Sequence, residues 1–199
     1  MTASMLIRRL AAGTLLLALA GTTAAHPGHD TSGLAAGLAH PFGPDHLLAI
    51  AAVGAWSATA FGGWRRLQGP LAFVAALIVG AAIGSGLATA GAALPALEAG
   101  LALSVVGMGL LLALGRRLPA AAGLGLVAAI GLLHGIAHGS ELPAGAGVAP
   151  YAAGFVLATV ALHAVGLGLG MRLDRARSWA QRALGALVGV AGLALLAGV

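Results

Sequence analysis

Neither cysteine nor lysine occurs in the 199 residues; charged residues make up only 8% and aromatics 4%. Each shortage excludes a class of function. Without lysine there is no Walker-type phosphate contact and no Schiff base. Without cysteine there is no disulfide and no thiolate metal site. A soluble domain carries about 25% charged residues, so a soluble globular fold does not fit. Ten arginines against five acids give a formal charge of +5 and a pI near 11.6. These arginines are not interleaved with aromatics that would stack bases, so no nucleic acid is expected as partner. No nucleotide motif is present either. With 60% hydrophobic residues and a mean hydropathy of +1.01, disorder is excluded. What remains is an all-α polytopic membrane protein, embedded in a lipid bilayer, with few polar residues to carry a function.

Residues 1–25 read as a secretory signal peptide. Arg8 and Arg9 precede an apolar run from Leu10 to Ala20, and small residues end at Thr23-Ala24-Ala25. The run is shorter than the roughly 20 residues a bilayer span needs. Cleavage after Ala25 makes His26 the new N-terminus, outside the cytoplasm.

Residues 26–199 read as one domain of six apolar spans, at about 33–61, 69–90, 98–114, 119–139, 149–171 and 179–198. Arginines fix the orientation. Arg65 and Arg66 follow span one, Arg116 and Arg117 follow span three, and Arg172, Arg175, Arg177 and Arg182 surround the turn into span six. The loops after spans two and four carry none. The positive-inside rule makes the arginine-bearing loops cytoplasmic and both termini external, in a bacterial-type cytoplasmic (inner) membrane. Asp30, Asp45, Glu98 and Glu141 then share the outer side, and Asp174 alone lies inside. A negative outer mouth concentrates cations. Trp64 and Trp179 are expected as anchors at the cytoplasmic boundary, and Tyr151 at the outer one.

Glycine supplies 33 residues. It recurs at small-xxx-small spacing in Gly80/Gly84, Gly131/Gly135/Gly139 and Gly185/Gly189, which lets helices pack closely and leaves little room for a wide pore.

Ionisable residues within a membrane are costly, and those present are functional candidates. The first cluster is His40-Pro41-Phe42-Gly43-Pro44-Asp45-His46. Two prolines forbid a regular helix, so a short helix ending near His40 and a restart at Pro44 are expected. Such breaks line binding sites in transporters. The second is His134-Gly-Ile-Ala-His138-Gly-Ser-Glu141. Its three donors fall on one helical stripe, the i, i+4 imidazole pair suiting a divalent metal and the carboxylate adding neutralisation. His163 lies alone, roughly 21 Å below the outer end of span five at ~1.5 Å per residue, as a packed residue or a deeper relay point. His26 and His29, beside the new amine and Asp30, form either a chelate or a plain tail. The metal candidates are therefore His40, Asp45, His46, His134, His138, Glu141, His163, His26 and His29.

Imidazole and carboxylate donors suit Ni²⁺, Co²⁺, Zn²⁺ or Cu²⁺. Magnesium and calcium prefer oxygen donors, and cuprous copper prefers thiolates or thioethers. No tightly bound cofactor is expected. The ion is cargo.

The signal ending at His26-Pro-Gly-His29, the His40-Pro41…Asp45-His46 break followed by Leu-Leu-Ala-Ile, the His134-Gly-Ile-Ala-His138-Gly-Ser-Glu141 run and His163-Ala-Val-Gly166 together resemble the HupE/UreJ family of hydrogenase and urease accessory proteins. The resemblance spans nearly the whole mature chain. It implies a permease taking up Ni²⁺ or Co²⁺ toward the cytoplasm. One departure is spacing: four residues separate His40 from Asp45 where the family pattern has five, which in a continuous helix would turn His40 by about 100°. Four is the spacing of the related NiCoT nickel/cobalt permeases, whose other motifs are missing.

Two other classes stay open on residues alone. One is an intramembrane zinc hydrolase using His134 and His138 with a third ligand and an activated water. It lacks the His-Glu-x-x-His pattern, since Gly135 stands where glutamate is needed. The other is a membrane metal sensor or assembly factor without transport. Whether the chain acts alone or as a homo-oligomer is not written in the sequence.

Overall fold

In lipid every backbone amide must be paired within its own segment, and the apolar runs fold accordingly. The structure, a computed structural model, describes residues 33–92, 94–114, 118–141, 148–174 and 178–198. The expected signal peptide, His26, His29 and Asp30 lie outside the described residues, as do Arg116, Arg117, Arg175 and Arg177. Among the described residues there are seven helices and no strand. They are α1 (Leu34–Ala39), α2 (Pro44–Ala60), α3 (Gln68–Thr89), α4 (Leu97–Leu114), α5 (Ala120–Ser140), α6 (Val148–Asp174) and α7 (Ser178–Ala197). Short 3₁₀ turns at His40–Phe42 and Gly63–Leu67 join α1 to α2 and α2 to α3.

Five helices are long and apolar enough to cross a membrane: α3 through α7. They fall on the second to sixth expected spans. The first expected span, 33–61, is in two helical pieces of 6 and 17 residues. The result is a multi-pass membrane protein in which one segment is broken.

Local signals set the helix ends. Pro44 is the first residue of α2, with Gly43 extended before it (φ −53°, ψ 141°), as a residue preceding proline must be. Pro119, also extended, precedes α5. Gly91 (φ 69°) takes the left-handed conformation that stops α3, and the Ala92 amide returns to the Leu87 carbonyl at 3.0 Å. At the other end of the bundle the Ser57 hydroxyl donates to the Arg66 carbonyl at 2.7 Å and accepts from the Gly69 amide at 3.1 Å, tying α2 to α3.

Three helix pairs dominate the packing: α3 with α5, α2 with α6, and α4 with α7. Their contacts are made at missing Cβ atoms. A Cβ at Gly80 or Gly84 would overlap the carbonyls of Leu132 and Ile136. One at Gly131, Gly135 or Gly139 would overlap those of Phe73, Leu77 and Ala81. Gly109 abuts Gly189 and Gly185 between α4 and α7. These are the stripes expected from spacing. The α2–α6 seam was not expected: Gly54, Gly166 and Gly170 press on the backbones of His163, Ala51 and Ala55, and Gly37 and Gly154 extend it along α1.

Within the bundle Ile50, Val53, Trp56, Phe73, Met108 and Val127 are buried. Leu71, Ile78, Leu110, Val165 and Val190 point outward, as lipid-facing side chains do. Trp64 and Trp179 are 77% and 39% exposed, in keeping with interfacial anchors. Tyr151 departs from expectation: it is 8% exposed and packs on His40 with ring centroids 5.8 Å apart. It is an inner wall of a polar cluster, not a boundary anchor.

Glycine's role is testable by contrast. Gly135→Ala should destabilise by about 1–3 kcal/mol, because α3 must move off α5. Gly168→Ala, where a new Cβ meets nothing within 4 Å, should be neutral or gain up to about 1 kcal/mol of helix propensity. Unfolding midpoints of the two variants in detergent give the comparison; equal midpoints would refute the seam.

Candidate metal centre

Pro41 has no amide, so the α1 ladder cannot continue through it. The chain tightens into a single 3₁₀ turn, closed by the Gly43 amide on the His40 carbonyl at 3.2 Å. It then restarts at Pro44, where the Leu47 amide reaches the Gly43 carbonyl at 2.9 Å. Asp45 therefore lies in the first turn of α2, where the helix terminus favours a carboxylate. Gly43 keeps that place open, since a Cβ there would stand 3.2 Å from Asp45 Oδ1 and 3.7 Å from His46 Nδ1.

His134 and His138 sit one turn apart near the end of α5, both buried, and Glu141 is the first residue beyond it. The four imidazoles meet. Ring centroids are 4.6 Å apart for His40 and His138, 4.3 Å for His46 and His138, and 4.5 Å for His46 and His134. The 3₁₀ turn replaces the helical path that would have swung His40 away, so the short spacing before Asp45 still delivers His40 to the cluster. Two donor trios result: Asp45, His46 and His134, and His40, His138 and Glu141, with donor atoms in each within 4.8 Å of one another. Bonds of 2.0–2.1 Å to a tetrahedral ion put donors roughly 3.3 Å apart, so either trio closes on an ion by about 1.5 Å at most. The stripe on α5 is thus shared between the trios.

Hydrogen bonds fix which ring nitrogens are bare. Ser104 Oγ lies 2.6 Å from the Leu101 carbonyl, which takes its only proton. Ser104 must then accept from His134 Nε2–H at 2.8 Å, leaving the His134 Nδ1 lone pair free. His46 Nδ1 donates to Asp45 Oδ2 at 2.8 Å, leaving Nε2. His163 Nδ1 donates to the Thr159 carbonyl at 2.9 Å, again leaving Nε2. The bare nitrogens of His46 and His134, and both of His138, are buried without a hydrogen-bond partner among the described residues. An unpaired buried polar atom costs about 1–3 kcal/mol. One nitrogen of a neutral His138 ring carries its proton, so His46, His134 and His138 offer three free lone pairs, which with the two nearby carboxylates make a donor set suited to a divalent transition metal.

Glu141 approaches His40 at 3.9 Å. Partial burial, then the Glu98 charge, raises its carboxyl above the ordinary range. His163 belongs to neither trio. It packs on Phe73 at 5.4 Å, and the same ring lies 5.9 Å from His134. One aromatic ring therefore separates His163 from the cluster.

Sequence reasoning missed Ser104, Tyr151 and Phe155 as parts of the site. Phe155 packs on His138 at 4.5 Å. A serine in an apolar span carries no motif; only the packing of α4 against α5 brings it to His134. Ser104→Ala should weaken binding of a divalent-metal probe, Ni²⁺, by about tenfold to a hundredfold, while Ser104→Thr, which keeps the acceptor, should largely preserve it. Calorimetric titration of the purified protein distinguishes these outcomes; equal affinities would refute the assigned role.

A family model described as HupE / UreJ protein matches residues 14–195. Protein HupE of Rhizobium leguminosarum bv. viciae is 40% identical over 184 residues, covering 92% of this chain and 94% of the relative. No solved structure matches. The match takes in the broken segment, the paired histidines of α5 and His163 alike, and this chain belongs to the HupE/UreJ family.

Proposed function

We propose that this protein is a permease that carries Ni²⁺ or Co²⁺ into the cytoplasm through the histidine cluster. The observation that carries the reading is the set of buried, unpartnered nitrogens on His46, His134 and His138, gathered beside Asp45 and Glu141. Imidazole-rich donors with two carboxylates match Ni²⁺, Co²⁺ or Zn²⁺ better than Mg²⁺ or Ca²⁺. Asp45 and Glu141 neutralise the ion's charge, and His40, half-buried beside Glu141, receives it first. His163 is the next donor along the bundle, beyond Phe73.

The broken α1–α2 segment completes a sixth crossing, in the manner of transporter helices interrupted at a binding site. The arginine-bearing turn at Arg65 and Arg66 faces the cytoplasm and the histidine end faces outward, in a cytoplasmic membrane. With no nucleotide motif, transport is driven by an ion gradient or by trapping of the metal inside. Both carboxylates of the cluster stand within the donor trios, so neither is left as a separate base, which favours carriage over hydrolysis. The HupE/UreJ membership agrees with an accessory role in metal supply.

Cells expressing Asp45→Ala, His134→Ala or His138→Ala should accumulate radioactive nickel and cobalt at less than about a tenth of the unmodified rate, with protein levels matched by immunoblot. Undiminished accumulation in all three would sink the permease reading. A zinc hydrolase would instead keep stoichiometric zinc through purification and cleave an amide or ester bond.

A further inference from the structure

The two parallel seams of the bundle obey one rule. Gly80 stands to the Leu132 carbonyl as Gly166 stands to the Ala51 carbonyl. Gly84 stands to Ile136 as Gly170 stands to Ala55, and Gly135 to Leu77 as Gly54 to His163. One constant shift takes α3 onto α6 in all three pairs, and one constant shift takes α5 onto α2. The remaining seam, α4 against α7, is antiparallel, with Gly192 on Val106, Gly109 on Gly189 and Gly185 on Ala113. An antiparallel pair is mapped onto itself by a two-fold axis perpendicular to it.

A single operation therefore exchanges α2 with α5, α3 with α6 and α4 with α7. Each exchanged helix runs the opposite way from its counterpart, so the axis lies across the bundle, in the plane of the membrane. Each parallel seam joins one helix from either half. This is the geometry of an inverted-topology repeat, which allows one scaffold to open toward either face.

The side chains break the symmetry. The shift that relates α5 to α2 places His138 opposite Ser57, His134 opposite Val53, and Ala137 opposite Trp56. Where one end of the bundle has imidazoles around a small alanine, the other has an indole. Trp56 is 1% exposed. A Cβ at Gly123 or Gly69 would meet its ring, so it is wedged between α5 and α3. Phe61 packs on its edge with centroids 5.5 Å apart. The cluster reaches solvent on its own side, where the side chains of His40 and Glu141 are 30% and 56% exposed.

We propose that the chain is an inverted three-plus-three repeat, seen with its outer trio exposed at the histidine end through His40 and Glu141 and the imidazoles of its inner trio buried, and that Trp56 is the closure of the arginine end. In the alternate form the α2–α6 pair shifts against α3–α5, the indole leaves Gly123 and Gly69, and the interior below Phe73 opens toward Arg65 and Arg66. The role of this motion in metal transfer rests on the permease reading; the repeat and the closure do not.

The native absence of cysteine makes the test clean. Val53→Cys places one near-isosteric thiol between the cluster and Trp56, at a position now 0% exposed. Trp64→Cys and Phe42→Cys, at exposed positions, mark the arginine and histidine faces. In the full-length protein in vesicles, a charged, membrane-impermeant maleimide should label Val53→Cys slowly from both faces. Adding Trp56→Ala should raise the rate at least ~10-fold from the face that labels Trp64→Cys, and leave it unchanged from the other. Trp56→Phe, which keeps an apolar ring, should give a smaller rise and serves if the alanine variant fails to fold. Unchanged labelling in both variants, or a rise from the Phe42→Cys face, overturns the closure. Nickel uptake is measured in parallel on the unmodified chain. A labelling rise without uptake keeps the closure and removes the permease; uptake without the rise does the reverse.

Discussion

Helices in lipid gain nothing from hiding apolar surface from one another, because the lipid is as apolar as they are. What holds this bundle is backbone-to-backbone approach where side chains are missing, and the site depends on it. His134 and His138 are each followed by a glycine: Gly135 sits on the Leu77 carbonyl and Gly139 on the Ala81 carbonyl. Neighbouring residues on a helix point about 100° apart. Locking the glycine face against α3 therefore aims both imidazoles at one place, and that place is where the broken segment delivers His40 and His46. A side chain at either glycine would push α5 off α3 and turn the ligands with it.

The polar chemistry is economical in the same sense. Each partnered imidazole has its far nitrogen engaged by an acceptor of a different kind: a carboxylate for His46, a hydroxyl for His134, a backbone carbonyl for His163. An acceptor behind an imidazole selects the tautomer and raises the basicity of the nitrogen left bare. The two rings of the cluster treated in this way belong to the trio buried deeper, with Asp45. The trio with Glu141 is more exposed, and its His138 has neither nitrogen engaged. On the permease reading, a metal passing from the more exposed trio to the braced one would gain stronger donors as it loses water.

Much of this was legible in the residues. The five long helices match the apolar runs within a few residues, since lipid leaves helix as the one open-chain solution. The break at Pro41 and Pro44 was legible because proline lacks an amide, and the i, i+4 pair on α5 because helix geometry is regular. What was not legible came from tertiary packing. Ser104 reaches His134 across two helices, and Tyr151 turns inward where an aromatic near a span end suggested an interface. The α2–α6 seam left a partial trace: Gly166 and Gly170 stand at the same i, i+4 spacing as the other stripes, whereas Gly54, which meets the His163 carbonyl and the Gly166 backbone, is a lone glycine on its own helix. His40 shows the reverse case: a spacing that would misplace it in a helix is harmless in a 3₁₀ turn.

The repeat and the site stand in productive tension. For one scaffold to visit two conformations, their energies must lie within a few kcal/mol, or the minor state is never populated. Matching glycine contacts in the two parallel seams supply that near-equality, because the backbone interactions lost on one side are regained on the other. The side chains then decide what each state does. Imidazoles occupy the level of one half whose counterpart in the other half holds Val53, Trp56 and Ser57. An ion that binds only the imidazole end stabilises the state that exposes it. To be released it must leave those ligands for a region with His163 as its main donor, buried against Phe73. On the permease reading, several donors at one end and a single imidazole at the other give a cargo ion a reason to enter and the means to depart, which a symmetric pair of sites would not.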